Sequence, residues 1–328
     1  MARPVTEYPE NTSSRNGWQA AAGSRAYIRD LPVAEYGMVQ LECGPETFSS
    51  QRVESAHAKL VQMRFGPRST GYLVPGDGWT AILIPRPRDG FYRVNGQTVL
   101  GHGCFVISSR LGCHAIGAMR DNLDCGLRTD RLIAAIAAIL GVDPDPKLLP
   151  DMRLNAPELA ISAFRLRLES LLAEHPRGLP TDAEDKLYSG VATLIARYGP
   201  TAAVLRSDDL SNRAILRAVG AMAREGGATP TMAQICQQVG VSRTRLFDCF
   251  AAELGIAPGQ FLIHQRLGTV RDALLRRDGP CRSVKEVMLA HGIRNGGRFA
   301  ATYRALYGEN PNDTLARAGK SYNAAGNR

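Results

Sequence analysis

Residues 231–258, TMAQICQQVGVSRTRLFDCFAAELGIAP, constrain this chain more tightly than any other stretch. Met232, Ile235 and Val239 stand at helical spacing, and Gly240 behind them can adopt the positive φ that closes a helix. Ser242 directly precedes a second periodic run, which is the position of an N-cap, and Leu246, Phe247 and Phe250 give that run an apolar stripe. Two short helices joined by a tight turn containing glycine make a helix-turn-helix, whose second helix fits the major groove of B-DNA. Ser242, Arg243, Thr244 and Arg245 open that second helix and are its first candidates for contact with DNA.

The pattern recurs downstream. GIAPGQFLIHQRLGTVRDALL predicts a long connecting helix over about 258–276. In SVKEVMLAHGIRNGGRFAATYRALYGENP, Val284, Val287 and Met288 form a packing face, Gly292 a turn and Asn295 an N-cap. Gly296, Gly297 and Arg298 then open a second recognition helix anchored by Phe299, Tyr303 and Leu306. Two consecutive glycines cost about 1 kcal/mol each against alanine and bring no side chain to a base. The second unit is therefore expected to act by close backbone approach to phosphate, with Arg294, Arg298 and Arg304 as its polar contacts.

Taken together, roughly 208–318 resembles the DNA-binding domain of AraC/XylS-type transcription regulators, whose signature holds two helix-turn-helix units joined by a long helix. By position, Thr244 and Asp248 fall where that family commonly faces bases, and Asp248 departs from the pattern because the place is more often basic. A carboxylate there can accept from cytosine N4 but is repelled by nearby phosphate. The resemblance implies an α+β chain: an N-terminal cupin-like β-barrel with packing helices, then an all-α domain with two helix-turn-helix units. It implies an effector-modulated regulator and no enzyme. Double-stranded promoter DNA is the expected partner, with RNA polymerase, a small-molecule effector and a second copy in a homodimer as further ones. Neither a cofactor nor a membrane is expected.

Charge placement agrees with this reading. Of a net charge of +9, most sits from residue 208 onward, where 17 Lys and Arg, 15 of them Arg, face 10 Asp and Glu. A basic excess over a helix-turn-helix region is the electrostatic footprint of a phosphate-binding face. MARPVTEYPENTSSRNG lacks the apolar core of a signal peptide, and the longest apolar run, LIAAIAAILG at 132–141, is too short to span a bilayer, so a cytoplasmic protein is expected.

The remaining chain divides as follows: a polar tail over 1–18, an effector-binding or dimerisation domain over 19–198, a linker over 199–210, the DNA-binding domain over 208–318 and a tail over 319–328. Short strands are predicted at 38–43, 58–65, 70–75, 80–85, 104–109 and 113–119, which suggests a small barrel or sandwich. Asn95 and Gly96 between FYRV and QTVL signal a type I′ hairpin. Helices follow at about 129–140, 156–174 and 181–198, the last with Thr181 and Glu184 spaced as a capping box and Leu187, Val191, Leu194 and Ile195 on one face. Asp208, Asp209 or Ser211 can cap the next helix, whose apolar face is Ile215, Val219 and Met222.

For the effector the residues say less. His57, His102 and His114 are isolated in sequence, so a metal-dependent enzyme is disfavoured. Arg64 and Arg68 form an RxxxR pair followed by Ser109 and Gly112 in an SxxG arrangement, which faintly resembles the cyclic-di-GMP motif of PilZ-type receptors, although Ile107 stands where that motif has Asp or Asn. The seven cysteines hold no CxxC pair, and Cys104, Cys113 or Cys125 would serve as a thiol sensor only if exposed and of low pKa.

Overall fold

A computed structural model of the chain describes residues 19–20, 32–45, 48–87, 92–99, 101–108, 112–199, 203–204, 207–224, 230–276 and 283–317. Strands alternate and pair antiparallel through the first part of the chain. In order they are β1 (Gln19–Ala20), β2 (Val33–Gln40), β3 (Phe48–Glu54), β4 (Ala58–Phe65), β5 (Ser69–Pro75), β6 (Trp79–Pro87), β7 (Tyr92–Val94), β8 (Gln97–Val99), β9 (Phe105–Ile107), β10 (Cys113–Gly117), β11 (Arg120–Arg128), β12 (Met152–Arg153) and β13 (Ala203–Val204). One sheet runs β1-β3-β4-β11-β6-β9-β12-β13 and the other β2-β5-β10-β7-β8. Asn95 at φ 49° and Gly96 at φ 78° make the predicted hairpin between β7 and β8.

Side chains of successive strand residues point to opposite faces, so each strand serves two layers. On the first sheet, Leu60, Ile82, Ile84, Leu123, Cys125 and Leu127 pack outward against α1 (Thr129–Leu140), α2 (Glu158–Glu174) and α3 (Thr181–Tyr198). On the second sheet, Val39, Leu41 and Ile116 pack outward against α4 (Ser207–Arg224) and against α7 (Pro258–Arg276). Between the sheets lies a cavity lined by Met38, Val61, Met63, Phe65, Leu83 and Tyr92, with about 80 Å³ of room for the centre of a water-sized sphere. The layers thus run helices, sheet, cavity, sheet, helices.

The central strand β11 was not among the predicted strands. Its sequence, RDNLDCGLR, reads as polar, yet its register puts Asp121 opposite Arg64 on β4 and Arg86 on β6. Asp121 is fully buried and accepts from Gln62 Nε2 (2.8 Å), Arg86 Nη2 (2.9 Å), Arg64 Nε (3.3 Å) and the buried Arg165 of α2. Burial alone would raise its pKa, but Arg165, Gln62 and the two flanking arginines outweigh that and hold the carboxyl below its ordinary value.

Two helix starts differ from expectation. The chain enters α3 from Pro180 with no side-chain cap, and Glu184 instead turns inward to Arg131 and Ser55. Because Thr181 is already the first helical residue and Pro180 stands at the cap, the Thr181 hydroxyl is not placed to cap the helix, and Glu184 is left to pair with Arg131. Helix α4 begins at Ser207, ahead of all three predicted caps. No single helix among the described residues is long and apolar enough to cross a membrane.

Candidate nucleic-acid interface

The first helix-turn-helix is α5 (Met232–Val239) followed by α6 (Arg243–Leu254). Thr231 and Gln234 form a reciprocal capping box at the start of α5, and Gly240 at φ 72° ends it. The Ser242 hydroxyl accepts from the Arg245 backbone N–H at 3.1 Å and so starts α6 at a fixed residue. Such a cap is worth about 1 kcal/mol. Leu246, Cys249, Phe250 and Leu254, all fully buried, then fix the rotation of α6 on Ile235 and Phe261. Fixing the rotation fixes the reading face, which carries Arg243, Thr244, Phe247, Asp248 and Ala251, all exposed.

One residue of this unit departs from the sequence reading and another makes a contact the sequence did not show. Phe247, expected in the apolar stripe, is 36% exposed. Its ring lies under the Arg243 guanidinium, 5.5 Å from its centroid. Arg245, exposed beside Thr244, donates to the Asn212 side chain of α4 at 2.5 Å. Helical periodicity places a residue on a face but does not say what that face meets.

The second unit is α8 (Val284–Ala290) followed by α9 (Gly296–Tyr307). The Ser283 hydroxyl caps α8, Gly292 turns at φ 67°, and the Asn295 side chain accepts from the Arg298 N–H at 3.0 Å as the cap of α9. Phe299, Tyr303 and Leu306 are buried as expected. The exposed residues of α9 are Gly296, Gly297, Arg298, Ala301, Arg304 and Ala305, with Arg294 and Asn295 exposed just before it. Both recognition helices therefore start with free backbone N–H groups and the positive end of the helix dipole, which suits phosphate.

Their opposite ends are held by the second sheet. Arg68 Nη2 donates to the Leu254 carbonyl of α6 at 2.7 Å, across 186 residues of sequence, and Arg93 Nη1 donates to that of Ala252 at 3.2 Å. On α9, the Leu306 carbonyl accepts from the Gly44 N–H at 2.9 Å and from Gln40 Nε2 at 3.1 Å. A guanidinium at a helix C-terminus meets unsatisfied carbonyls and the negative end of the dipole. Arg217 of α4 forms a bidentate pair with Glu35 of β2, and His264 of α7 contacts the Gln40 carbonyl at 3.0 Å.

These contacts separate the RxxxR pair. Arg64 points to Asp121 on the helix-covered side of the first sheet, while Arg68 points to the end of α6. The two guanidiniums do not converge on a common ligand. Gly112, at φ 66°, sits where a Cβ would lie 2.2 Å from the Leu73 carbonyl, so it is glycine for backbone approach; Ser109 lies outside the described residues. The thiol-sensor idea also fails at two of its candidates, since burial pushes the Cys104 thiol up to about 12 and the Cys125 thiol well above its ordinary range. Cys113 is buried too.

A family model described as a helix-turn-helix domain matches residues 235–317, the stretch that spans both units. A probable thc operon regulatory protein of Rhodococcus erythropolis is 35% identical over 273 residues, which cover 82% of this chain and 78% of that protein. The XylDLEGF operon transcriptional activator of Pseudomonas putida is 32% identical over 80 residues, and there the chain spans only 25% of the relative's length. Among solved structures, an AraC-type DNA-binding-domain regulator from Chromobacterium violaceum is 28% identical and covers 33% of this chain and 94% of its own, with a TM-score of 0.30.

Proposed function

The chain belongs to the AraC/XylS-type transcription regulators, and on that premise we propose that it recognises a double-stranded promoter sequence by laying α6 and α9 into successive turns of the major groove. The observation that carries this reading is the outward face of α6, where Arg243, Thr244, Phe247 and Asp248 stand exposed on a helix whose rotation the core fixes. The connecting helix α7 has 19 residues and so spans about 28 Å, close to the roughly 34 Å that separates major-groove turns on one side of a duplex. One chain then reads an asymmetric site, in the cytoplasm. Arg243 is the candidate for a bidentate contact to guanine O6 and N7. Arg243→Ala should relax preference at one base position and cost about 1 to 3 kcal/mol in specific binding. Binding of the full chain to a site selected from random DNA checks this; an unchanged site and affinity in the variant would remove Arg243 from the reading edge.

The cavity between the sheets is the effector site in this reading. Asn122 and Asp124 line it among mostly apolar side chains, and the Asn122 Oδ1 is buried without a protein hydrogen-bond partner, which suits a small, mainly apolar compound carrying hydrogen-bond donors. Strand β2 carries the signal: Tyr36 and Met38 line the cavity, while Val39 and Leu41 pack on α4 and α7. A compound at 100 times its dissociation constant should stabilise the chain by about 2.7 kcal/mol. Filling the cavity with Met63→Trp should abolish that shift in thermal unfolding, and a shift that survives would place the effector elsewhere.

A further inference from the structure

Phe247 stands apart from the buried residues that seat α6. The helix is seated by Leu246, Cys249, Phe250 and Leu254, each fully buried, and Phe247 lies outside that set at 36% exposure. Other large apolar side chains among the described residues are more exposed, but those such as Ile139, Leu159 and Leu166 lie on the helices behind the first sheet, and Ile263 and Leu289 lie on α7 and α8. Phe247 alone of them stands between Thr244 and Ala251 on the face proposed to enter the groove. An aromatic ring placed on that face gains from covering its apolar area when the helix enters the groove. In the major groove, a single base offers an apolar partner: thymine, through its C5-methyl group.

Arg243 narrows the inference further. Its guanidinium is stacked on the Phe247 ring at 5.5 Å, which restricts the long side chain before DNA arrives and lowers the entropy cost of a bidentate contact. Residues four apart on a helix are neighbours on its surface, and their Cβ atoms lie about 5–6 Å apart. The two side chains therefore address neighbouring base pairs. We infer that Phe247 is a specificity-determining residue that reads the methyl group of a thymine, at a base pair adjoining the one whose guanine Arg243 contacts. This rests on the proposed reading of α6 as a recognition helix and goes beyond it by assigning a base to a side chain with no hydrogen-bonding group.

The test uses the full chain. A preferred duplex is first selected from random DNA, and each of its thymines is then replaced singly by deoxyuridine, which removes the methyl and leaves every hydrogen-bonding group in place. One replacement, beside a guanine whose substitution Arg243→Ala tolerates, should weaken binding about fourfold, the worth of one methyl-sized apolar group. In Phe247→Ala the same replacement should have no effect, while a cooperative thermal transition shows that the variant is still folded. A selected site in which no thymine is methyl-sensitive, or methyl sensitivity retained in Phe247→Ala, overturns the assignment and leaves DNA recognition by α6 intact. Selection that enriches no sequence at all overturns that reading along with it.

Discussion

In the first helix-turn-helix, Ile235, Leu246, Cys249, Phe250 and Leu254 close on one another with no charged side chain among them. In the second, a buried arginine of the connecting helix stands in the core: Arg271, 3% exposed, donates to the Tyr303 hydroxyl at 2.9 Å and to Thr314 at 3.2 Å, pairs with Glu309, and stacks 4.4 Å from the Tyr307 ring centroid. The faces differ in the opposite sense. Helix α6 shows Arg243, Thr244, Phe247 and Asp248, whereas α9 shows Gly297, Ala301 and Ala305 alongside Arg298 and Arg304. The apolar core of the first unit sets a helix that carries varied chemistry outward. The second unit adds this buried polar network to an apolar core of Leu267, Val270, Leu274, Val287, Met288 and Phe299, and the helix it sets has little side chain to offer. In the proposed reading, the first unit reads bases and the second fixes register on phosphate.

The sharpest way to break that comparison is at Arg271. Arg271→Met keeps most of the apolar stem but strips Glu309, Tyr303 and Thr314 of their shared donor, and loss of one partner from a buried ion pair costs about 3 kcal/mol or more. Hydrogen exchange should quicken over 283–317 and stay unchanged over 231–254. Equal changes in both units would mean that the network does not hold the second unit in particular. Acid should act in the same direction. Burial opposes ionisation of Glu309, but its bonds from Thr314 and Arg271 outweigh this and hold its carboxyl below the ordinary value of 4.5. A carboxyl depressed on folding stabilises above its unfolded pKa, and that contribution is lost as pH falls through the folded one. Below about pH 4.5 the second unit should therefore open before the first, and Glu309→Gln should remove that difference.

The same contrast explains what could be read without coordinates. The first unit was legible almost residue by residue, because apolar spacing, a serine cap and a glycine turn are local signals: Ser242, Gly240 and the seating of Leu246 and Phe250 all stand where the pattern put them. Legibility stopped where a partner is distant. Arg271 reads as a surface charge until Glu309 is brought to it, Asp121 hides β11 until Arg165 covers it, and Arg68 resembles half of a ligand motif until the Leu254 carbonyl claims it. Phe247 failed for a different reason, since an aromatic residue at helical spacing is assigned to the core by default. Its exposure is a property of how the helix is seated.

Gly297 offers the smallest effect and the finest discrimination. Helix α9 pays for its bare start, since glycine is less favourable than alanine by up to about 1 kcal/mol in a helix. Space is not what excludes a larger residue: a Cβ at Gly297 would meet the Asn295 side chain at 3.9 Å, an ordinary contact. Gly297→Ala should therefore raise the stability of the second unit by at most about 1 kcal/mol. If the bare face exists so that backbone can approach phosphate, the same methyl group should weaken DNA binding, and should do so alike for preferred and random sequences. Stability rising while affinity falls, with sequence preference untouched, separates this helix from α6, where loss of a side chain changes the preferred site. Should Gly297→Ala bind as tightly as the parent, close approach would not be the function of the glycine pair, and Arg298 and Arg304 would have to carry the second unit's contribution alone.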